Sequence, residues 1–178
     1  MSRAILYVVL VSLAACVVTA QQPFRVGDPV PDFRLPYATA DTINFDGIGS
    51  KDLAETRYML AFYPADWSPA CTKEICGFRD AVKEFAELAV EVLPVSADLV
   101  FSHHEWAKQH KLPFKLLSDY TGKFGRRLGV YRPEQGMFRR SVFVVGPDGR
   151  FEYIDFDYSI TGDADFIALK EALARLKK

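Results

Sequence analysis

The apolar residues of the chain fall into segments with two different spacings. Residues 58–63 form an apolar run without alternation, which is typical of a strand buried on both faces. Apolar side chains then recur at intervals of three and four after Cys71, and this spacing predicts one amphipathic helix over about residues 68–89. Cys71 lies on the buried stripe of that helix and Cys76 on its polar face, so we expect different surroundings for the two thiols.

The remaining segments alternate between strand and helix patterns. Alternation of apolar and polar residues around 33–35 and 43–45 predicts a small N-terminal hairpin extension. Further elements are predicted as strands at 90–95, 116–119, 141–145 and 151–156, and as helices at 101–111, 121–128 and after Asp163, which is expected to cap the last helix. This order predicts one α/β domain with a central mixed sheet flanked by helices.

The first twenty residues differ in class from the rest of the chain. They contain a single charged residue, Arg3, and residues 4–20 are uncharged and mostly apolar. This pattern predicts a secretory signal that is cleaved after Ala20. Two alternatives remain open: a bacterial lipoprotein box in which Cys16 carries the lipid, and an uncleaved anchor at the lower length limit for crossing a bilayer. Each alternative places a domain of residues 21–178 outside the cytoplasm, as a periplasmic, secreted or membrane-tethered protein.

Charge and cysteine content narrow the classes of partner. The net charge is −1 at pH 7, and the chain has neither a basic tract nor a stripe of Lys and Arg with interleaved aromatic residues. Nucleic acid is therefore not an expected partner.

If residues 1–20 are removed, only Cys71 and Cys76 remain, which is too few for the disulfide framework of a small secreted scaffold. The pair has a local role or none.

The surroundings predicted for Cys71 indicate a reactive thiol. Ser68-Pro69 is a typical helix start, and with Ser68 as the N-cap, Cys71 is the third helical residue. Its sulfur then lies near unpaired backbone N–H groups at the positive end of the helix dipole, which favours a thiolate at neutral pH. Cys71 also follows the carboxyl end of a central strand, where sites in open α/β sheets occur.

The residues around Cys71 resemble the active-site signature of the peroxiredoxins, Pro-x-x-x-Thr/Ser-x-x-Cys, with Pro64 and Ser68 at the matching positions. The likeness continues in order over about residues 24–175, through Gly27-Asp28, Pro31-Asp32-Phe33, Glu74, Phe78, Ser102-His103, Trp106, Leu116 to Asp119, Gly122, Leu128-Gly129-Val130 and Arg140 to Val145. Cys76 is similar to the resolving cysteine of one subgroup of this alkyl hydroperoxide reductase/thiol-specific antioxidant superfamily, the bacterioferritin comigratory protein type.

The resemblance implies a fold, a reaction and partners. The fold is thioredoxin-like, and the reaction is a thiol-dependent reduction of hydrogen peroxide and organic hydroperoxides. A thioredoxin-like dithiol would reduce the oxidised enzyme after each turnover. The enzyme would be a monomer or a dimer. No metal or organic cofactor is implied.

The resemblance also implies roles for single residues. Cys71 would attack the peroxide and become a sulfenic acid. Arg140, preferred over its neighbour Arg139, would favour the thiolate and polarise the peroxide. Ser68 would cap the helix with its hydroxyl while donating to sulfur or peroxide, and Pro64 would cover the pocket and limit water.

The same resemblance implies roles for two further residues of the predicted helix. Glu74 would orient a second arginine, Arg126 or Arg127, and the alternative is an exposed helix carboxylate. Cys76 would resolve the sulfenic acid by forming a disulfide with Cys71. Positions five apart on an intact helix have Cα atoms about 8.6 Å apart, which exceeds the roughly 7 Å that a disulfide spans. Such a bond therefore requires the first turns of the helix to unwind.

The histidines and tryptophans provide weaker evidence. His103, His104 and His110 are expected on a solvated helix face, and their spacing is not that of metal ligands. Trp67 is expected to line the pocket and Trp106 to lie in the core.

Two other functions on the same fold remain as alternatives. One is an extracytoplasmic thiol–disulfide oxidoreductase, although the usual C-x-x-C is missing because position 74 is Glu. The other is a redox sensor or holdase that uses Cys71 as a switch.

Overall fold

The computed structural model describes residues 24–177, so the predictions for residues 1–20 and Cys16 lie outside the described residues. The elements in chain order are β1 (Arg34–Ala38), β2 (Ile43–Gly49), β3 (Arg57–Phe62), α1 (Pro69–Asp80), α2 (Val82–Glu87), β4 (Val90–Ser96), α3 (Val100–His110), β5 (Leu116–Ser118), α4 (Lys123–Leu128), β6 (Tyr131–Arg132), β7 (Met137–Phe138), β8 (Ser141–Val145), β9 (Phe151–Asp155) and α5 (Ala164–Leu176). Over residues 24–177, none of these helices is both long and apolar enough to cross a membrane.

One mixed sheet organises the domain, as the sequence predicts. Its strand order is β2-β1-β5-β4-β3-β8-β9. Strands β3, β4 and β5 are parallel, and the pairs on either side of them are antiparallel. The predicted N-terminal hairpin is β1–β2, and β1 joins it to the sheet through β5. Because β3, β4 and β5 run the same way, their carboxyl ends meet at one edge, where α1 begins.

Strand β3 is buried on both faces because it lies inside the sheet with helices above and below. Met59 and Ala61 face a core cluster formed with α1, α2, α3 and α5. Leu60 and Phe62 face a second cluster formed with α4 and the N-terminal segment. The apolar run without alternation is therefore explained by packing on two sides.

The helix predicted over residues 68–89 is two helices, so that prediction is wrong in its length. The chain leaves helical geometry at Ala81, where φ is −95° and ψ is 7°, and α2 follows at once. Ile75, Phe78 and Phe85 nevertheless enter the same core cluster. The apolar spacing survives the break because both helices pack on one face of the sheet.

Two smaller features also differ from expectation. Asp163 occupies the N-cap position of α5 but makes no side-chain capping hydrogen bond. The carboxylate of Asp165, in the first turn of α5, instead accepts the Ser159 N–H at 2.7 Å. The short hairpin β6–β7 has no counterpart in the sequence prediction, and it brings the chain towards Arg140.

Candidate active site

Cys71 lies at the carboxyl edge of the sheet, in the first turn of α1. Ser68 is the N-cap, with extended φ and ψ of −65° and 131°, and its carbonyl accepts the Thr72 N–H at 2.8 Å. Pro69 occupies the first helical position, where its missing N–H and fixed φ are tolerated. The Cys71 side chain is fully buried and reduced. Cys71 is therefore the third residue of α1, in its first turn, as the sequence predicts.

The hydroxyl of Ser68 does not cap the helix. The residue stands at the N-cap position but makes no side-chain capping hydrogen bond. Ser68 is half-buried, so its hydroxyl is not engaged in holding α1. The prediction that this hydroxyl caps the helix is wrong.

Arg140 joins the thiol to a buried carboxylate. It immediately precedes β8, and its Nη2 donates to Cys71 Sγ at 3.3 Å. Its Nη1 donates to Glu74 Oε2 in an ion pair. The neighbouring Arg139 instead pairs with Asp157. Of the two adjacent arginines, the structure thus places Arg140 on the sulfur.

Glu74 contacts Arg140 and neither of the arginines named for it in the sequence analysis. Arg126 donates to the Thr121 carbonyl and lies over the Tyr131 ring, and Arg127 donates to the Asp32 carbonyl. The expected partnership of Glu74 with a second arginine is therefore wrong. Glu74 is buried rather than exposed, because it lies on the same side of α1 as the buried side chains of Cys71, Ile75 and Phe78.

Burial gives the ion pair unusual proton affinities. Burial raises the pKa of Glu74 to about 7, even though the charge of Arg140 opposes this shift. One carboxylate oxygen, Oε1, is buried without a hydrogen-bond partner. Burial also works against the charge of Arg140, but the charge of Glu74 and the contact with Cys71 raise its pKa. Arg140 is therefore a permanent cation beside the thiol.

An open cavity of about 430 Å³ adjoins this site. Pro64, Arg139 and Arg140 line it together with residues of the β6–β7 hairpin and the segment after β9. The lining combines apolar groups such as Met137 with several guanidinium groups. Trp67 does not line this cavity, contrary to expectation, and its indole instead donates to Ser102 Oγ at 3.0 Å. Trp106 is fully buried in the core, as predicted.

Cys76 is less exposed than its place on the polar face of the helix predicts. It is half-buried and packs against the core cluster beside α1. Burial raises the pKa of its thiol, with smaller and opposing effects of Arg79 and Asp80. The prediction that Cys76 lies on the polar face of the helix is therefore only partly correct, because the thiol is half-buried.

His103 lies in the interior and not on a solvated helix face, so that prediction is wrong. The side chain is fully buried and contacts the buried carboxylate of Asp66. The sequence carried a signal for this position: His103 lies three residues after Val100 and three before Trp106, on the buried side of α3. His104 and His110 are half-buried. Among the described residues, no group of His, Cys, Asp and Glu could hold a metal ion.

Comparisons with known proteins agree with this architecture. The sequence profile of the AhpC/TSA family matches residues 26–154. The chain is 34% identical over 129 residues to the Triticum aestivum protein named peroxiredoxin Q, chloroplastic. The aligned residues make up 72% of this chain and 57% of that protein.

Solved structures give the same result. The crystal structure of peroxidoxin BcpB from Mycobacterium tuberculosis superposes with a TM-score of 0.73 at 31% identity, covering 86% of this chain and 98% of that one. That of Enterococcus faecalis AhpC has a TM-score of 0.76 at 24% identity, covering 85% and 92%. The second likeness concerns the fold alone.

Proposed function

The chain belongs to the AhpC/TSA family as a thiol-dependent peroxidase, a peroxiredoxin of the bacterioferritin comigratory protein type, and we propose that Cys71 is its peroxide-reducing residue. The observation that carries this assignment is the contact of Arg140 with both Cys71 Sγ and Glu74. A thiolate nucleophile needs a fixed cation beside it, and a buried guanidinium supplies one.

In the first step, the Cys71 thiolate attacks one oxygen of the peroxide. The O–O bond breaks, Cys71 becomes a sulfenic acid, and the other oxygen leaves with a proton as water or an alcohol. Arg140 stabilises the charge that develops on both oxygens without reorganising, because its ion pair with Glu74 already fixes its plane. The hydroxyl of Ser68, which does not cap the helix, is available to donate to the peroxide.

In the second step, we propose that Cys76 condenses with the sulfenic acid. A disulfide forms and water leaves, and an external thioredoxin-like dithiol then reduces the disulfide by exchange. Both cysteines lie in α1, so this step requires α1 to unwind. Glu74 lies between the two cysteines in α1, so unwinding also separates Glu74 from Arg140.

The structure leaves room beside α1 for this opening. A cavity of about 180 Å³ lies between α1 and the segment before α5, and it is lined by Glu74, Gly77 and Phe78. Across it, Lys73 Nζ donates to the Ile160 carbonyl at 3.3 Å. Gly77 lowers the free energy needed to unwind α1, whereas the burial of Ile75 and Phe78 in the core cluster opposes unwinding.

Rapid mixing of residues 21–178 with hydrogen peroxide tests the peroxidase assignment. Tryptophan fluorescence and thiol titre report the two steps. We expect fast peroxide consumption that is lost in Cys71→Ser, and an intramolecular disulfide that is lost in Cys76→Ser. Wild-type protein that reacts no faster than a free thiol would contradict the assignment and favour a disulfide oxidoreductase or a redox sensor. If Cys76→Ser turns over normally with a dithiol, Cys76 does not resolve.

We also propose that the domain acts outside the cytoplasm. The proposal is supported by the uncharged, mostly apolar stretch 4–20. Mass spectrometry of the mature protein from its host distinguishes the alternatives, because cleavage after Ala20, a lipid on Cys16 and an intact N-terminus give different masses. A cytoplasmic protein with residues 1–20 intact would contradict the proposal.

A further inference from the structure

A buried polar network lies behind the loop that joins β3 to α1. Its centre is Asp66, whose side chain makes three hydrogen bonds. Tyr63 donates to Oδ1 at 2.8 Å, and Ser102 donates to Oδ2 at 2.7 Å. His103 Nδ1 lies 2.9 Å from the same Oδ2. Tyr63, Asp66 and His103 are all buried, so the network is shielded from water and each bond counts for more than at the surface.

Acceptor oxygens face both nitrogens of the His103 ring. Asp66 receives donors from Tyr63 and Ser102, and burial raises the pKa of Tyr63 so that its hydroxyl remains a donor. The same Asp66 oxygen that accepts from Ser102 faces His103 Nδ1. On the other side of the ring, Nε2 lies 3.2 Å from the Leu117 carbonyl, which is also an acceptor. The ring thus connects the loop after β3 to β5.

The same loop is held from its backbone side. The Asp66 N–H donates to Asp98 Oδ2 at 2.8 Å, and Ser96 at the end of β4 donates to the same oxygen at 2.9 Å. The Asp66 carbonyl accepts the Ser68 N–H at 2.8 Å. Between them Trp67 has a φ of +62°, which is rare for a residue with a large side chain and costs free energy. A strained residue between Asp66 and the N-cap needs anchors on both sides.

We propose that His103 is a positioning residue for the peroxide reaction, which acts through Asp66 to hold loop 64–68, and with it Pro64 and Ser68, in place around Cys71. The inference rests on the proposed function, because it assigns His103 to the peroxide step. His103 itself touches neither Cys71 nor Arg140. Its contribution is the fixed geometry of the loop, and small displacements of groups around a reacting centre cost large factors in rate.

Two substitutions at position 103 separate the two bonds of the ring. The amide nitrogen of Asn corresponds in position to Nδ1, and that of Gln corresponds to Nε2. His103→Asn therefore keeps a donor to Asp66 and loses the one to Leu117, whereas His103→Gln does the reverse. Both variants remove the ring and its packing. If the position of loop 64–68 controls the peroxide reaction, the two variants nevertheless differ in their rate constants with hydrogen peroxide.

The readout is the ratio of two rate constants of Cys71, one with hydrogen peroxide and one with iodoacetamide. Alkylation needs only an accessible thiolate, whereas peroxide reduction also needs the groups of loop 64–68 in place. We expect the ratio to fall at least about tenfold in His103→Gln and to stay within about threefold of wild type in His103→Asn. Loss of stability alone would speed alkylation in both variants alike. Equal ratios in the two variants, or an unchanged ratio in His103→Gln, would overturn the inference.

Two further variants keep the test decisive. His104→Gln is the matched control on the same helix, since His104 contacts the Thr39 carbonyl and lies outside the network, and its ratio should equal that of wild type. If His103→Gln fails to fold, Ser102→Ala removes one donor to Asp66 at a half-buried position, together with the acceptor of the Trp67 indole N–H, and should lower the rate constant with hydrogen peroxide about threefold. An unchanged rate constant with hydrogen peroxide there overturns the inference. Failure of the proposed function shows separately, as a slow peroxide reaction of the wild-type protein.

Discussion

At the scale of the residue, the chemistry depends on one guanidinium group in contact with two partners. Arg140 uses separate nitrogens for Cys71 and Glu74. A lysine carries the same charge but has a single nitrogen on a flexible stem, so it cannot maintain both contacts in one plane. The geometry of the cation, and not its charge alone, is therefore expected to set the rate.

Arg140→Lys tests this expectation. We expect the second-order rate constant for hydrogen peroxide to fall about a hundredfold, the usual cost of losing one preorganised charge-stabilising donor. Stopped-flow fluorescence measures it. Arg127→Lys is the control, because Arg127 contacts the Asp32 carbonyl and belongs to the opposite face of the sheet. A rate for Arg140→Lys within a factor of about three of wild type would show that charge alone suffices.

Glu74 predicts a specific dependence of stability on pH. Because burial raises its pKa to about 7 in the folded state, from about 4.3 in an unfolded chain, the folded state binds the proton more tightly. The contribution of Glu74 to stability is thus fully present below about pH 4.3 and is lost as the pH rises through 7. Glu74→Gln removes this titration.

The measurement is the melting temperature of wild type and Glu74→Gln between pH 4.5 and pH 8. We expect the wild-type protein to lose stability relative to the variant as the pH rises. Parallel curves would show that Glu74 has the same proton affinity in both states, and Asp148→Asn at an exposed turn serves as the control for loss of a carboxylate.

Some residues of the site can be predicted from their sequence neighbours, and others only from contacts between distant segments. Cys71 and its place in a first helical turn follow from Ser68-Pro69. The contact of Arg140 with Glu74 was not predicted, because it joins segments 66 residues apart and depends on how β8 pairs with β3. His103 could have been assigned to the interior from its spacing to Val100 and Trp106. The prediction of a solvated helix face followed instead from the polar character of the histidine side chain.

At the scale of the element, α1 has two requirements that oppose each other. The peroxide step uses the intact N-terminus of α1, and the proposed disulfide step requires the same turns to open. Gly77 directly follows Cys76 in α1, and a Cβ added there would meet no atom within 4 Å. Alanine would therefore fit at this position. The glycine lowers the stability of the helix although no close contact requires it.

Gly77→Ala should therefore separate the two steps. We expect α1 to be stabilised by about 0.5–1 kcal/mol, the peroxide phase to stay unchanged and the disulfide phase to slow roughly two- to fivefold. Two-phase stopped-flow fluorescence measures both. Glu171→Ala, at an exposed position of α5, improves a helix elsewhere and should leave both phases as they are. A disulfide phase as fast as that of wild type would mean that α1 does not need to unwind.

The break at Ala81 shows what periodicity can and cannot predict for an element. The apolar spacing correctly predicts which side of both helices is buried. The apolar spacing cannot reveal the bend at Ala81, because the spacing continues across the bend and both helices pack on the same face of the sheet. The end of the helix is misplaced for the same reason: Ala89 fits the stripe, yet it has a φ of +55° and lies outside α2.

At the scale of the whole molecule, stability and reactivity are located at opposite edges of the sheet. Arg57 at the amino end of β3 forms a bidentate ion pair with Glu152 on β9, with distances of 2.6 and 3.0 Å. The carboxyl end of the same strand leads to Cys71. A change at the Arg57 end should therefore alter the free energy of unfolding without altering the peroxide rate.

Glu152→Gln tests this separation. We expect the free energy of unfolding to fall by about 1–2 kcal/mol, because the variant loses a charge-assisted pair that is mostly shielded from solvent. Chemical denaturation measures it. The control is Glu105→Gln, which breaks an exposed pair with Lys108 and should cost no more than about 0.5 kcal/mol. A peroxide rate that falls together with stability in Glu152→Gln would contradict the separation.

The fold as a whole was the most predictable feature. Buried runs, turn residues and the alternation of strands with helices predict the mixed sheet, its hairpin extension and the central place of β3. The β6–β7 hairpin escaped prediction because its strands have two residues each, too few for a period to be visible. That hairpin lines the cavity beside Arg140, so the least regular part of the chain contributes to the entrance of the site.

The break at Ala81 also has a consequence for how the molecule fluctuates. An uninterrupted helix through residues 68–89 would tend to melt as one cooperative unit, because each helical turn supports the next. Divided at Ala81, the chain has two units, and α2 is also held by the contact of Phe85 with Phe166 and by the ion pair of Glu84 with Lys170, both residues of α5. Amide hydrogens of α1 should accordingly exchange with solvent through a local opening that leaves those of α2 protected. The protein can thus lose the order around its thiols for a moment while the rest of that helical layer remains native.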